Sequence, residues 1–208
     1  MKRIVILCFT LSMISCKDKE ILLPKADKTI LSKVENLSPV YFFFKIEKND
    51  TIVQVNRNNT ISSTNWVFNI DKRLPLRMVI PEIKKLLAKK KMSAHSNQTT
   101  QNYLTYTDTV HKSLAFFPFS SLKIKNEVPE VWMHEIRFDK NNVVRVKDFV
   151  FATNQLPNFL VNSMPDKRNM YFSFNKNMSY GEYLKFQIMI LDMQQKGLCK
   201  TCETIFVY

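Results

Sequence analysis

Cys199 and Cys202 form the only Cys-x-x-Cys in the chain. Two thiols at that spacing can close a small disulfide, exchange electrons with another dithiol, or supply half of a zinc site. A redox pair works best at the amino end of a helix, where the helix dipole lowers the thiol pKa. Here the pair follows a helical stretch and precedes the last apolar run, which is the wrong end for that effect. A metal site needs more ligands, and His95, His111 and His134 are scattered, the first two in or beside loops. The residues favour a local disulfide, formed in an oxidising compartment and pinning a helix–strand turn. Incidental thiols, and redox or metal function, are the other readings.

Other groups offer less. His134-Glu135 lacks the intervening residue of a zinc-deaminase motif, and no proline precedes Cys199. His134 alternates in phase with Trp132, Ile136 and Phe138, which predicts a packed or half-exposed histidine on a sheet face. Glu127, Glu130, Glu135 and Asp139 are close in sequence, but nothing fixes two of them at acid–base separation. No Ser-His-Asp arrangement is legible. The chain has 2 glycines, Gly181 and Gly197, where average usage of roughly 7% would give about fourteen. That scarcity removes phosphate-cradling loops, dinucleotide fingerprints and nucleophile elbows. The expectation is a chain with no catalytic residue, no metal and no cofactor.

The elements that would position these groups divide into two halves. Val40–Ile46 and Thr51–Val55 read as strands joined by a hairpin turn at Glu47-Lys48-Asn49-Asp50. Asn65–Ile70 alternates Trp66, Phe68 and Ile70. Leu76, Val79, Ile80, Ile83, Leu86 and Leu87 then fall at helical spacing, with Pro75 suited to the first turn. Pro81 implies either a later start or a kink. Residues 92–102 are polar and read as a loop. In the second half Leu114–Phe119, Val131–Phe138, Val143–Phe151 and Met170–Phe174 read as strands, with a turn at Asn141-Asn142 and an irregular connection over 153–168. Ser179 and Glu182 have capping-box spacing, and Gly197 supplies the left-handed stop of the helix between them. Glu203–Tyr208 closes the chain as a strand. The expected fold is α+β, a mixed or antiparallel sheet with two main helices. Each half (39–120 and 121–208) runs strand, strand, helix, strand, as in a degenerate duplication. Tyr41-Phe42-Phe43-Phe44 and Phe116-Phe117 predict strands covered on both faces, or else an exposed partner patch.

The amino terminus carries the most specific signal. Lys2 and Arg3 precede an apolar run, Ile4–Ile14, too short to remain as a membrane-spanning helix. The run ends at Met13-Ile14-Ser15-Cys16, which resembles the lipobox of bacterial lipoproteins. A small residue before the cut admits the peptidase, and the thiol takes the diacylglyceryl group. The resemblance implies a signal peptide over 1–15, acylation of Cys16 and a lipidated tether over 16–38. No aspartate follows Cys16 directly, and Lys17-Asp18-Lys19-Glu20 resembles the surface-export signal of Bacteroidota lipoproteins, so the expected location is the outer membrane. Asp50-Thr51-Ile52 and Asp108-Thr109-Val110 resemble the O-glycosylation sites of the same bacteria.

The whole chain carries +13, with 31 Lys and Arg against 18 Asp and Glu. Such a balance often marks a polyanion partner. Only Lys84-Lys85 and Lys89-Lys90-Lys91 cluster, at the end of the first helix, where cations suit the dipole, and they read as a solvated face. Anionic lipid or cell-wall polymer is the alternative partner, and nucleic acid is not expected for an exported protein. Residues 170–208 resemble the strand–helix–strand end of the ExbD/TolR periplasmic domain. Members of that family carry a transmembrane helix with a functional aspartate, which has no counterpart here, so proton coupling is not implied. The expected role is a non-enzymatic binding or structural module of the cell envelope. The alternatives are an accessory to an ExbD/TolR-type complex and a thiol–disulfide protein using Cys199 and Cys202.

Overall fold

Lys48 and Asn49 take the left-handed backbone (φ 49° and 66°), as do Asn141 and Asn142 (φ 63° and 61°). Two such residues in succession match the twist of a tight hairpin, so this glycine-poor chain builds both of its main hairpins with asparagine and lysine. The computed structural model describes residues 20–93, 99–119, 123–125, 134–163, 170–199 and 204–208. Its first unit comprises β1 (Lys25–Ala26), β2 (Leu37–Glu47), β3 (Asp50–Asn56), β4 (Asn65–Ile70), α1 (Leu76–Met92), β5 (Asn102–Asp108) and β6 (Ser113–Pro118). The second comprises β7 (Lys123–Lys125), β8 (His134–Phe138), β9 (Val143–Val146), β10 (Phe149–Ala152), α2 (Leu156–Ser163), β11 (Met170–Phe174), α3 (Tyr180–Gln195) and β12 (Thr204–Val207).

The fold is α+β, with two mixed sheets where one was expected. Their topology is the same. The first sheet runs β1-β5-β4-β2-β3, the second β7-β12-β11-β8-β9. In each, the first four strands are mutually parallel and the last closes an antiparallel hairpin. Each sheet has one addition, β6 beside β5 and β10 beside β9. The repeated unit is therefore longer than the expected strand, strand, helix, strand.

The two units meet where their long helices begin. The first amides of a helix have no intrahelical acceptor. Here the amides of Leu76 and Arg77 donate to the carbonyls of Met178 and Lys176 (3.0 and 2.7 Å). Those of Tyr180 and Gly181 donate in return to Leu74 and Lys72 (2.7 and 3.0 Å). Each helix start is thus capped by the turn that precedes the other. A Cβ at position 181 would lie 3.0 Å from the Lys72 Cβ and 3.3 Å from its carbonyl oxygen, so glycine permits this approach. One apolar core spans both units, with Phe42, Phe68, Phe138 and Phe174 fully buried in it.

Four expectations need correction. Residues 20–38 are not a tether: Pro24 and Val34 are buried, and Lys25–Ala26 pairs in parallel with β5. The stretch 103–108, left without an element, lies in β5, between β4 and β1. Val143–Phe151 splits at Lys147 (φ 52°) into two antiparallel strands. The connection over 153–168 contains α2, whose Leu156 and Leu160 enter the core. Helix α1 runs from Leu76 through Pro81 to Met92. The capping box of α3 forms, with the Glu182 amide donating to Ser179 Oγ and the Ser179 amide to Glu182 Oε2, both at 3.2 Å.

Candidate functional site

The groups singled out from sequence are not brought together. Cys16, Cys202, His95, Glu127 and Glu130 lie outside the described residues. Cys199 is 6% exposed and follows the Gly197 stop (φ 68°), past the carboxyl end of α3. His134 opens β8, half-buried. Glu135 and Asp139 enter separate networks. Arg137 donates to Glu135 through Nε and Nη2 (3.2 and 2.8 Å), Ser173 Oγ donates to Glu135 at 2.5 Å, and Asn175 Nδ2 donates to Asp139 at 2.8 Å. Among the described residues no group of three or more His, Cys, Asp or Glu is placed to hold a metal ion. The disulfide reading makes a direct prediction. Unreduced protein should give the Cys199–Cys202 peptide at its oxidised mass, unlabelled by iodoacetamide, and labelling of both cysteines without reductant would reject it.

Two buried aspartates, Asp71, which was not singled out, and Asp108, which was expected only in a glycosylation-like tripeptide, fasten the amino-terminal segment to the first sheet. Asp71 accepts from the Leu22 amide (3.1 Å), the Arg73 amide (3.0 Å), and Arg73 Nε and Nη2 (2.9 and 2.7 Å). Burial alone would raise its pKa. The Arg73 and Leu22 hydrogen bonds outweigh burial and hold the carboxyl below its usual range. Asp108 accepts from the Thr29 hydroxyl and from the amides of Val110 and His111 (2.7 and 3.0 Å), and shares a 2.7 Å hydrogen bond with His111 Nδ1. Thr29 and His111 hold it well below the carboxylate range. Threonine, aspartate and histidine together invite a catalytic reading, but the Thr29 hydroxyl donates to the carboxylate and the imidazole is 69% exposed. The three groups lock a turn. Asp108 is fully buried and the Thr109 hydroxyl donates to the Ala26 carbonyl (3.1 Å), so the second tripeptide that resembles a glycosylation site is engaged in structure.

The basic run at the end of α1 holds the main surprise. Lys90, expected on a solvated face, is 7% exposed. Its Nζ donates to Asn102 Oδ1 at 3.0 Å and sits 5.1 Å from the centroid of the Trp66 ring. Among the described residues no carboxylate reaches it, and burial pushes its pKa down to about 8. It forms the floor of a cleft of about 690 Å³ bordered by Arg57, Lys85 and Lys89 and by the hydroxyls of Ser62 and Ser93. Sequence could flag the lysines; what buries one of them is Trp66 from β4 and Asn102 from β5.

Comparison with protein-family models, with curated proteins and with solved structures gives no match to this chain.

Proposed function

We propose that this protein is an envelope lipoprotein, acylated on Cys16, whose domain acts as a non-enzymatic binding or structural module at the outer membrane. The observation that supports this reading most is how few residues separate the lipobox cysteine from the first residue bonded to the domain. Backbone hydrogen bonding to the domain begins at Leu22, whose carbonyl accepts from the Lys72 amide (2.8 Å), and continues with Pro24 accepting from Thr107 (2.9 Å). From Cys16 to Leu22 is six residue steps, and an extended chain spans at most ~3.6 Å per residue, so the chain allows the Cys16 backbone at most about 22 Å from that first attachment. A leash that short seats the domain on the lipid surface. Intact-mass analysis of native protein should show a mature terminus at Cys16 bearing fatty acids. Cys16→Ser should move the protein from the detergent phase to the aqueous phase. An intact residue 1, or a terminus without acyl chains, would overturn the proposal.

A second reading, an accessory to an ExbD/TolR-type complex, draws support from β11, α3 and β12. These form a strand–helix–strand whose two strands are adjacent and parallel in one sheet. It predicts co-purification with a TonB- or Tol-like system. The thiol–disulfide reading would need a reduction potential near those of oxidoreductases, whereas an inert bond lies below about −300 mV.

A further inference from the structure

We propose that the cleft at the carboxyl end of α1 binds a phosphate monoester carried on a sugar-sized molecule, with Lys90 as its buried contact. The inference is independent of acylation at Cys16. A lysine ammonium has three donors and, taken out of water, is costly unless a counter-charge meets it. Lys90 has a neutral amide oxygen and an aromatic face. The aromatic face favours a cation, as does the nearby end of α1. Neither supplies an anion.

The sequence around the cleft is free of acids in both segments that build it. No Asp or Glu occurs between Asp50 and Asp71, the stretch that contributes Arg57, Ser62 and Trp66. None occurs between Glu82 and Asp108, the stretch that contributes Lys85, Lys89, Lys90 and Ser93. On the rim, Lys85 has, among the described residues, only a distant partner, Glu82 at 3.8 Å. Four cations line the cleft with no carboxylate among the described lining residues, which suits a dianion better than a single carboxylate. The Ser62 and Ser93 hydroxyls, 2.9 Å apart, can turn as donors to a tetrahedral group. A cleft of about 690 Å³ has room for the sugar that carries it. Trp66 is 3% exposed, so its ring positions Lys90 and offers the ligand no stacking face.

The same phosphate could be presented in solution or as a lipid headgroup, and calorimetric titration of the full chain separates the two. The soluble probe is glucose 1-phosphate, with glucose as the neutral control. The surface probes are phosphatidylcholine vesicles with and without phosphatidic acid. Binding of glucose 1-phosphate but not glucose, or of phosphatidic acid vesicles but not plain ones, is expected and identifies the source. Lys90→Met should weaken that binding roughly 10- to 100-fold, as for loss of a hydrogen bond to a charged group, and Lys90→Arg should weaken it less. Absence of binding to both phosphate probes, or equal binding by Lys90→Met, would overturn the proposal. A measurement on the native chain guards against a variant that fails to fold. The titration midpoint of Lys90 Nζ, followed by NMR, should rise when glucose 1-phosphate or the phosphatidic acid vesicles are added, and an unmoved midpoint would count against the site.

Discussion

Lys90→Met is expected to stabilise the protein at pH 7 by about 2 kcal/mol and to remove a rise in stability that the native chain shows above about pH 8. Lys90 is held by the fold at a pKa of about 8 because it is buried. In the unfolded chain it titrates near 10.4. Between these values the unfolded state keeps a proton that the folded state has released, so the unfolding free energy increases with pH across that window. The full difference is worth about 3 kcal/mol, and at pH 7 the folded state bears all of it. Methionine removes that burden and keeps the apolar stem. It also strands the Asn102 amide oxygen, 3.0 Å from the missing ammonium, at a cost of about 1 kcal/mol. Urea unfolding at several pH values should therefore give curves for the two proteins that cross between about pH 9 and 10. Burial pushes Tyr183 up and Tyr208 up to about 12, in both proteins, so they cancel in the difference. A constant gap between the curves would show that Lys90 keeps its unfolded pKa inside the fold. A stability gain on removing a side chain is what a binding residue retained against stability predicts.

The contrast between what the sequence revealed and what it concealed follows the range of the interactions involved. The two hairpin turns, the Ser179–Glu182 box and the Gly197 stop are decided within a few residues, and each forms as expected. Amphipathic α1 was legible from its spacing, but its unbroken run through Pro81, where a later start or a kink was expected, was not; one lost hydrogen bond does not outweigh five buried apolar side chains. The strand β1 was not, since two residues become a strand only by pairing with Thr107 and Asp108. Of the site, the lysine run was visible, yet three successive lysines in a last helical turn read as solvated. Only the placement of Trp66 and Asn102 selects Lys90 from its neighbours. The equivalence of the two units was hidden for a different reason. Ile70–Leu76 and Phe174–Tyr180 share one identical residue in register, Lys72 with Lys176. Their matching hydrogen bonds are mostly between main-chain atoms, as in the Asp71 amide donating to Phe42 and the Asn175 amide to Phe138 (3.1 and 3.0 Å). Side chains of many kinds satisfy that pattern. The repeat is written in topology and register rather than in residue identity.

Asp71→Ala is expected to loosen residues 20–26 from the first sheet and to reduce stability by about 2 kcal/mol, in line with loss of charged hydrogen bonds whose partners differ in exposure. The Asp71 carboxylate is fully buried, while Arg73 is 42% exposed and regains water when its partner goes. The Leu22 amide is the group left worse off, because its acceptor at 3.1 Å has no replacement among the described residues. Hydrogen exchange should therefore quicken first at Leu22 and at Lys72, whose amide donates to the Leu22 carbonyl. Asp71→Asn, which keeps one acceptor oxygen, should exchange more slowly than the alanine variant. Because the folded carboxyl sits below its ordinary value, its contribution is present above the unfolded pKa near 3.9 and disappears as pH falls through the folded one. The native chain should lose stability below about pH 4 by more than Asp71→Ala does. In acylated protein the same substitution lengthens the leash, since each residue released from the sheet adds up to ~3.6 Å of reach beyond the 22 Å or so set by the six residue steps from Cys16 to Leu22. Fluorescence quenching by nitroxide-labelled lipid, read from a dye on the domain, should then fall in Asp71→Ala relative to the native chain. Equal quenching with faster exchange would mean that the domain is held to the bilayer by its own surface and not by the shortness of its anchor.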